Sequence, residues 1–285
     1  MKILVTGANG MVARAVAAHC VSIGDEVVAL DRGQLDIGER QLVLAVLSRE
    51  KVDSVINCAA WTDVDGCESD RERNLRANAF GVENLAIACR ENSANLITIS
   101  TDYVFDGTKE GFYTQRDDPN PQSAYGQAKL QGERLAQAAN ARTIVVRAGW
   151  IFGEHGTNFL SRVGTKLFAG EAVNAIADSF GTPTYAPDLA SRLRELAELD
   201  LPGVYHVANA GQGTSYAGFA KVIAPDGDLV HEISAGSLTR PALRPANSRL
   251  RCLLSEAIGL SNLRPWQKAL SEFVEAKAIA SDAVV

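Results

Sequence analysis

A tyrosine and a lysine stand one helical turn apart in the segment SAYGQAKLQGE, at Tyr125 and Lys129. Residues four apart on a helix share a face, so the phenol and the ammonium are predicted to be neighbours. A phenol has an ordinary pKa of about 10, and a nearby cation lowers it by stabilising the phenolate. The pair is therefore a candidate proton donor to a carbonyl oxygen, and an amphipathic surface helix is the alternative interpretation.

The chain around this pair alternates short β-branched runs with helical segments. Strands are predicted at residues 2–6, 26–30, 53–60, 95–100 and 142–147, and helices at 10–23, 38–50, 71–92 and 123–140. Such alternation is typical of a doubly wound α/β fold, a Rossmann-type parallel sheet with helices on both faces. Ligands of this fold bind beyond the carboxyl ends of the strands.

The pattern changes after about residue 150. Segments rich in Gly, Pro and Asn follow at 181–190, 201–215 and 238–248, and loops of this composition bind more often than they pack. We therefore expect a dinucleotide-binding domain at residues 1–150. Residues 151–285 are expected to form mainly a smaller substrate-binding α/β region, with some segments returning to the Rossmann body.

The segment GANGMVA, residues 7–13, follows the first predicted strand and opens the first helix. Its glycines permit a tight turn and let a pyrophosphate approach the helix N-terminus. Asp31 ends the second strand, where a carboxylate accepts hydrogen bonds from the adenosine ribose. Arg32 favours a 2′-phosphate instead, so NADH and NADPH both stay open. The cofactor-binding residues predicted here are Gly7, Asn9, Gly10, Met11, Val12, Asp31, Arg32, Asp36 and Ile37, the last two beside the adenine.

Composition excludes several other classes of protein. The formal charge of −6 over 285 residues argues against general nucleic-acid binding. No apolar run approaches the roughly 20 residues that span a bilayer, and polar residues interrupt the start too early for a signal peptide. Five scattered cysteines are typical of reduced cytosolic thiols, and the four histidines lack metal-ligand spacing. We expect a cytoplasmic small-molecule enzyme with no membrane contact and no catalytic metal.

The glycine turn, Thr101 in STDYVF and the Tyr125–Lys129 pair together resemble the extended short-chain dehydrogenase/reductase superfamily. Within it, seven segments resemble the dTDP-4-dehydrorhamnose reductase family: NCAAWTDVDGCE (57–68), STDYVFDG (100–107), SAYGQAKLQGE (123–133), RAGWIFG (147–153), NF (158–159), FGTPT (180–184) and RPANSRL (244–250). The resemblance implies a nucleotide-sugar substrate. The implied reaction is NAD(P)H-dependent reduction of the 4-keto group of dTDP-4-dehydro-β-L-rhamnose to dTDP-L-rhamnose.

The resemblance also implies roles for individual residues. Tyr125 would be the general acid, Lys129 would lower its pKa and hold the nicotinamide ribose, and Thr101 would hydrogen-bond the carbonyl oxygen. Tyr125 and Lys129 would thus join the cofactor site, which Cys58, Ala59, Ala60 and Thr62 would extend. The implied substrate-binding residues are Val64, Thr101, Asp102, Phe105, Tyr125, Trp150, Asn158, Arg244, Asn247, Ser248 and Arg249, with Arg244 or Arg249 meeting the diphosphate.

Trp61 and the run RAGWIF depart from the family's pattern on the sugar-facing side, so the exact sugar stays open. One alternative is another nucleotide-sugar 4-ketoreductase, or an epimerase that returns the hydride to its substrate. A second alternative is a non-catalytic regulatory subunit like that of methionine adenosyltransferase, for which the complete Thr–Tyr–Lys set is not needed. The resemblance leaves a homodimer open.

Overall fold

The computed structural model describes residues 1–224 and 228–282, with the backbone alone for residues 278–282. The strands are β1 Lys2–Thr6, β2 Glu26–Leu30, β3 Ser54–Asn57, β4 Asn95–Thr101, β5 Thr143–Ala148, β6 Ile151–Phe152, β7 Val173–Ile176, β8 Phe180–Gly181, β9 Thr184–Tyr185, β10 Gly203–His206, β11 Thr214–Ser215 and β12 Val230–Ile233. The helices are α1 Met11–Ser22, α2 Arg40–Glu50, α3 Val64–Ser69, α4 Arg71–Leu75, α5 Gly81–Glu91, α6 Ala124–Ala139, α7 Phe159–Phe168, α8 Ala186–Leu199, α9 Tyr216–Ile223, α10 Leu253–Ala257 and α11 Trp266–Asp282. A π-helical turn, Arg76–Phe80, joins α4 to α5.

The central sheet has six parallel strands in the order β10-β5-β4-β3-β1-β2. Successive side chains of a strand point to opposite faces, so Ile3 and Val5 pack with α1 and α8 while Leu4 packs with α2 and α5. Both faces of the sheet are therefore covered by helices. The predicted doubly wound α/β fold is confirmed.

The strand order reverses at β1, which has β2 on one side and β3 on the other. Chain segments leaving the carboxyl ends of β1 and β3 therefore diverge. In doubly wound sheets this divergence opens a crevice in which ligands bind. The tyrosine helix of the sequence, α6, connects β4 to β5 on the same side of this switch point.

Two segments predicted to be binding loops, 181–190 and 201–215, contain regular secondary structure. Helix α8 begins at Ala186 and packs across α1, and β10 adds a sixth strand beside β5, with Val204 opposite Val145. Strand β10 has only four residues. It lies between a Pro-Gly pair and a glycine-rich run, both of which are typical of loops in a sequence. It is a strand because β5 supplies the hydrogen-bonding partners that an isolated strand of this length lacks.

A second hydrophobic core joins α7, α9 and α11 to β7 and β12, with Phe152 stacked on Tyr185 and in edge contact with Phe219 and Phe273. This core supports one wall of the crevice.

The region expected at 151–285 also includes residues 225–227 and 283–285, which lie outside the described residues. Within the described part of the chain, no helix has the length and apolar character needed to cross a membrane.

Candidate active site

A cavity of about 930 Å³ lies beyond the carboxyl ends of β1, β3, β4 and β5. This volume is at the upper end of the range for small-molecule and cofactor pockets. The residues predicted from the sequence that line it are Asn9, Gly10, Met11, Val12, Cys58, Ala60, Thr62, Val64, Thr101, Asp102, Tyr125, Trp150, Asn158 and Arg244.

The glycine turn at the floor of the cavity has little room for side chains. Gly7 has a φ of +69°, and a Cβ there would lie 3.0 Å from the Cα and the amide nitrogen of Ala59. Gly10 precedes α1 with no side chain capping the first amide groups of the helix. These amides and the helix dipole suit a pyrophosphate, so the residues present fit the dinucleotide that the sequence implies.

Asp31 and Arg32 lie beyond the cavity lining, next to the glycine turn. Asn9 Nδ2 donates to Asp31 Oδ2 at 3.1 Å, and the amides of Gly33 and Gln34 donate to Asp31 Oδ1. The Asp31 carboxylate is therefore engaged by its own turn. Arg32 is 67% exposed and lies 3.6 Å from the carboxylate of its neighbour Asp36, so its guanidinium is accessible to an anionic ligand.

The predicted adenine contacts at Asp36 and Ile37 are not at the cavity wall. Ile37 is buried in the core that covers the sheet on the α2 and α5 side. Asp36 pairs with Arg76 at 3.1 Å and caps the amide of Gly38. The buried side chain of Ile37 anchors the loop to this core.

The segment after β3 is fastened to β1. Its Ala59 amide donates to Thr6 Oγ1 at 3.2 Å and to Asn57 Oδ1 at 3.1 Å. Burial raises the pKa of the Cys58 thiol to about 12, so this cysteine is a neutral filler at neutral pH. Because the residues of this segment are small, the backbone of Gly7 can pack closely against it at the floor of the cavity.

Thr101 ends β4, and Tyr125 lies in the first turn of α6. The helix begins after Ser123, whose Oγ accepts a hydrogen bond from the Gly126 amide at 3.2 Å. Gly126 packs on the carbonyl of Tyr103, and the Tyr103 ring meets the Tyr125 ring edge-on at 6.1 Å. The N-terminus of α6 is thus docked on the turn that follows β4, which brings the phenol beside Thr101.

Electrostatics around the pair differ from the sequence-based expectation. Burial, followed by the Asp102 carboxylate, raises the pKa of the Tyr125 phenol, and the Thr101 hydroxyl lowers it. Lys129 is not among the groups that shift the pKa of this phenol. Its Nζ instead donates to the Ile99 carbonyl at 2.7 Å. Burial lowers the pKa of Lys129 to about 8.

Asp102 is a buried carboxylate in the cavity wall, 2% exposed. Thr101 Oγ1 donates to its Oδ1 at 3.1 Å, and among the described residues its Oδ2 has no hydrogen-bond partner. Burial raises the pKa of Asp102 to about 6, although the hydroxyls of Ser248 and Thr101 oppose the shift. The carboxylate packs on Gly149, where any side chain would overlap it. An unsatisfied acceptor in a cavity is suited to a ligand hydroxyl.

Aromatic rings form the opposite wall. Trp150 has a φ of +52°, a conformation that non-glycine residues rarely adopt. Its ring stacks on Tyr216 at 4.0 Å, and its Nε1 donates to Ser248 Oγ at 3.3 Å. Phe159 meets the Tyr216 ring edge-on. Strained backbone of this kind is concentrated at active sites and ligand-binding sites.

Two arginines stand at the mouth of the cavity. Arg244 makes a bidentate pair with Asp65, at 2.7 and 3.1 Å, and this guanidinium lowers the pKa of the Asp65 carboxyl. Arg240 also lines the cavity, and no hydrogen bond or ion pair ties it to another described residue. The mouth is therefore suited to an anionic group.

Other predicted substrate residues lie behind this wall. Phe105 is buried and stacks on Tyr113 at 4.3 Å. Asn247 Nδ2 donates to two carbonyls of the 109–111 turn, and Arg249 lies over the rings of Phe112 and Phe180. Ser248 contacts the wall through the Trp150 indole, from which its Oγ accepts, and through the Asp102 carboxylate. Asn247 and Arg249 thus hold in place the segment that follows Arg244 at the mouth of the cavity.

Sequence reasoning missed Tyr216, Phe159, Asp65 and Arg240. Asp65 was within reach, because it lies in the segment NCAAWTDVDGCE beside residues that were singled out. The position of Tyr216 depends on packing between α7, α9 and the strained turn at Trp150, for which the sequence carries no local signal.

Comparisons with known proteins agree with this geometry. The family model described as the RmlD substrate binding domain matches residues 1–279. A dTDP-4-dehydrorhamnose reductase of Mycolicibacterium smegmatis is 38% identical over 283 residues, covering 96% of this chain and 85% of the relative.

Solved structures give the same result. A dTDP-4-dehydrorhamnose reductase of Clostridium acetobutylicum superposes with a TM-score of 0.92 at 34% identity, covering 98% of this chain and 100% of that one. A dTDP-4-dehydrorhamnose reductase of Bacillus anthracis, in complex with NADP, has a TM-score of 0.91 at 30% identity, covering 95% and 98%. The predicted resemblance is confirmed, and the chain belongs to the RmlD substrate binding domain family, with dTDP-4-dehydrorhamnose reductases among its relatives.

Proposed function

We propose that the protein is an NAD(P)H-dependent oxidoreductase that reduces the 4-keto group of dTDP-4-dehydro-β-L-rhamnose to dTDP-L-rhamnose. The observation that carries this proposal is the placement of Thr101, Tyr125 and Asp102 on one wall of a single cavity whose floor is the glycine turn. The relatives named as dTDP-4-dehydrorhamnose reductases supply the substrate.

The chain's own residues account for the proton and for the position of the ketone. Thr101 and Tyr125 direct their hydroxyls to one carbonyl oxygen, and Tyr125 gives that oxygen its phenolic proton. Burial keeps the phenol protonated until then, since it raises the pKa of Tyr125. The nicotinamide, when bound, supplies the hydride. The Lys129 ammonium lies one helical turn after the phenol, where it can bind the nicotinamide ribose.

Both walls contribute contacts to the sugar, and the mouth of the cavity binds the diphosphate. Asp102 accepts a sugar hydroxyl at its unsatisfied Oδ2, and the Trp150–Tyr216 stack is a flat platform for the ring. Arg240 and Arg244 bind the diphosphate at the mouth. Arg249, the other arginine considered for that role, lies over two phenylalanine rings instead.

NADPH is the preferred reductant in this proposal. The Asp31 carboxylate already accepts hydrogen bonds from Asn9 and from two backbone amides. Arg32 is exposed beside it and suits a 2′-phosphate. The solved relative from Bacillus anthracis contains NADP. A more distant structure of the same fold, at 21% identity to this chain, contains NAD.

We assign cofactor binding mainly to residues 1–150 and substrate binding mainly to residues 151–285, with α8 and β10 returning to the sheet. We place the enzyme in the cytoplasm, in keeping with its five free cysteines. A homodimer is the proposed assembly, which size-exclusion chromatography with light scattering would test.

The proposal is tested with enzymatically prepared dTDP-4-dehydro-L-rhamnose and with NADPH and NADH in separate assays. Wild-type protein should oxidise NADPH faster than NADH and release dTDP-L-rhamnose. Tyr125→Phe should lower kcat by about 10²–10⁴-fold while NADPH still binds, because only the proton donor is removed. If the wild type reduces the sugar with neither NADPH nor NADH, the proposed reaction is refuted.

One relative favours a second candidate within the same reaction type. A dTDP-4-keto-6-deoxy-D-glucose reductase of Streptomyces niveus is 33% identical over 273 residues. That name describes a 4-keto sugar that differs in stereochemistry from the proposed one. Assay of both sugars side by side would decide between them, and the complete Thr–Tyr–Lys set argues for either over a non-catalytic subunit.

A further inference from the structure

Helix α6 contacts β4 at three successive turns of one face. Tyr125, Lys129 and Glu133 are spaced four residues apart, so they lie in a row on that face. Tyr125 lies beside Thr101, Lys129 donates to the Ile99 carbonyl, and Glu133 accepts a hydrogen bond from the Ser100 hydroxyl. Three consecutive residues of the strand thus meet three consecutive turns of the helix.

The third contact is a buried ionic network. Arg147 of β5 lies opposite Ser100 in the sheet register, so the two side chains project together towards α6. Arg147 donates to both Glu133 oxygens, through Nε at 3.0 Å and Nη2 at 2.7 Å. Ser100, Glu133 and Arg147 are each at most 6% exposed.

Burying such a pair is costly, and well-packed apolar residues of similar size are often equally stable or more so. Stability alone therefore does not explain the network. What it does supply is a fixed register between α6 and β4, because a carboxylate held by three donors cannot slide along the strand. It also places a negative charge one turn from Lys129.

We propose that Glu133, held by Ser100 and Arg147, is a positioning residue that fixes Tyr125 and Lys129 against β4 and provides the counter-charge for the Lys129 ammonium. This inference rests on the proposed function for its catalytic consequences. Phe105 completes the arrangement, since its ring lies under the Arg147 guanidinium at 5.3 Å.

Charged groups reach Lys129 from two elements. Burial is the largest influence and lowers the pKa of Lys129, whereas Glu133 on α6 and Cys58 after β3 raise it. Cys58 is neutral at neutral pH, so Glu133 is the effective counter-charge. Behind Glu133 are Arg147 on β5 and then His206 on β10, whose pKa is lowered to about 4 by burial and by Arg147. His206 is therefore uncharged across the working range.

Glu133→Gln tests the charge while keeping an acceptor for Ser100 and Arg147. We expect kcat to fall roughly tenfold or more at pH 7. The alkaline limb of the pH–rate profile should move about one pH unit lower, because the Lys129 ammonium loses its counter-charge. The double variant Glu133→Gln with Arg147→Met is the matched control, since it removes the uncompensated guanidinium.

The double variant separates positioning from stability. Recovery of the melting temperature, with the alkaline limb still shifted, supports the inference. Recovery of both the melting temperature and the wild-type pH profile would overturn it, because Glu133 would then serve only to neutralise Arg147. If Glu133→Gln does not fold, Glu133→Asp keeps the charge but shortens the reach. That variant should keep the alkaline limb and lose kcat, and a wild-type kcat would contradict the positioning role.

A second readout needs no substrate. The Nζ resonance of Lys129, labelled with ¹⁵N and assigned by its loss in Lys129→Arg, should titrate at lower pH in Glu133→Gln than in the wild type. An unchanged titration would refute the counter-charge. A shifted titration in a protein that reduces no nucleotide sugar would instead keep the role of Glu133 and reject the proposed function.

Discussion

The two walls of the cavity are built by different means. The wall formed by residues 1–148 consists of strand ends and the turns directly after them, and backbone contacts such as that of Gly7 with Ala59 set its shape. The facing wall consists of side chains from distant segments, with Trp150 stacked on Tyr216 and Arg244 paired with Asp65. The first wall is fixed by the sheet, whereas the second depends on contacts that a ligand can replace. We therefore expect changes in the first wall to cost folding and cofactor binding, and changes in the second to cost substrate affinity.

The largest effect is expected from Gly7→Ala. The new Cβ would meet the backbone of Ala59 at 3.0 Å from a left-handed conformation, so we expect a loss of roughly 2–4 kcal/mol in unfolding free energy. NADPH binding should weaken with it. Urea denaturation and a fluorescence titration with NADPH measure the two losses.

Gly24→Ala is the control for that variant. Gly24 also has a positive φ, of +88°, but a Cβ there would meet nothing within 4 Å. Its loss should be about 1 kcal/mol, with NADPH binding unchanged. Equal losses for both variants would show that backbone strain, and not the approach to Ala59, decides the cost.

Two titrating groups of the first wall, Lys129 and Asp102, should set the pH range of activity. Lys129 has a pKa lowered to about 8, so its ammonium is present below that pH and is lost above it. Asp102 has a pKa raised to about 6, so its carboxylate is ionised above that pH and neutral below it. We expect kcat/KM to fall about tenfold per pH unit outside this window. In Asp102→Asn the acidic limb should disappear and the alkaline limb remain, and an unaltered acidic limb would contradict this assignment.

Trp150→Ala should raise the KM for the nucleotide sugar up to roughly tenfold, because an aromatic contact contributes about 0.5–1.5 kcal/mol. The dissociation constant for NADPH should not change, since the platform belongs to the second wall. Trp150→Phe, which keeps a ring on Tyr216, is the matched variant and should lose less. Steady-state kinetics with isothermal titration of NADPH measures both, and weakened cofactor binding would break the separation of the walls.

The smallest effect is expected from Asp65→Asn. Both partners of its pair with Arg244 are partly exposed, so the pair contributes at most about 1 kcal/mol to stability. Freed from the carboxylate, Arg244 should bind the substrate diphosphate more readily and lower the KM up to a few-fold. A raised KM would mean that Asp65 orients Arg244 for the diphosphate instead of competing for it.

This contrast also explains how far the sequence could be read. Spacing along one element is enough to predict Gly7 and Gly10 as a turn and Tyr125 and Lys129 as neighbours on a helix. The first five strands of the sheet were predicted for the same reason, since β-branched runs and intervening helices are local signals. Strand β10 was missed because its identity depends on β5.

Side chains of the second wall depend on long-range packing. In RPANSRL, Arg244 lines the cavity while Arg249 turns to Phe112 and Phe180. Nothing in the order of these residues separates the two arginines. The burial of Phe105 also has no local signal, because the ring of Tyr113 that stacks on it comes from a neighbouring turn. The network around Glu133 is also not visible in the sequence, because it depends on the sheet register that places Ser100 of β4 beside Arg147 of β5.

The most direct test of the proposed reaction is transfer of deuterium from NADPH that carries deuterium at both positions of the nicotinamide C4, because the hydride leaves from only one face. After incubation with dTDP-4-dehydro-L-rhamnose, NMR and mass spectrometry would locate the label in the product. We predict one deuterium at C4 of dTDP-L-rhamnose for each cofactor oxidised. A product without deuterium, or a sugar altered with no net oxidation of the cofactor, would contradict the account and indicate an epimerase.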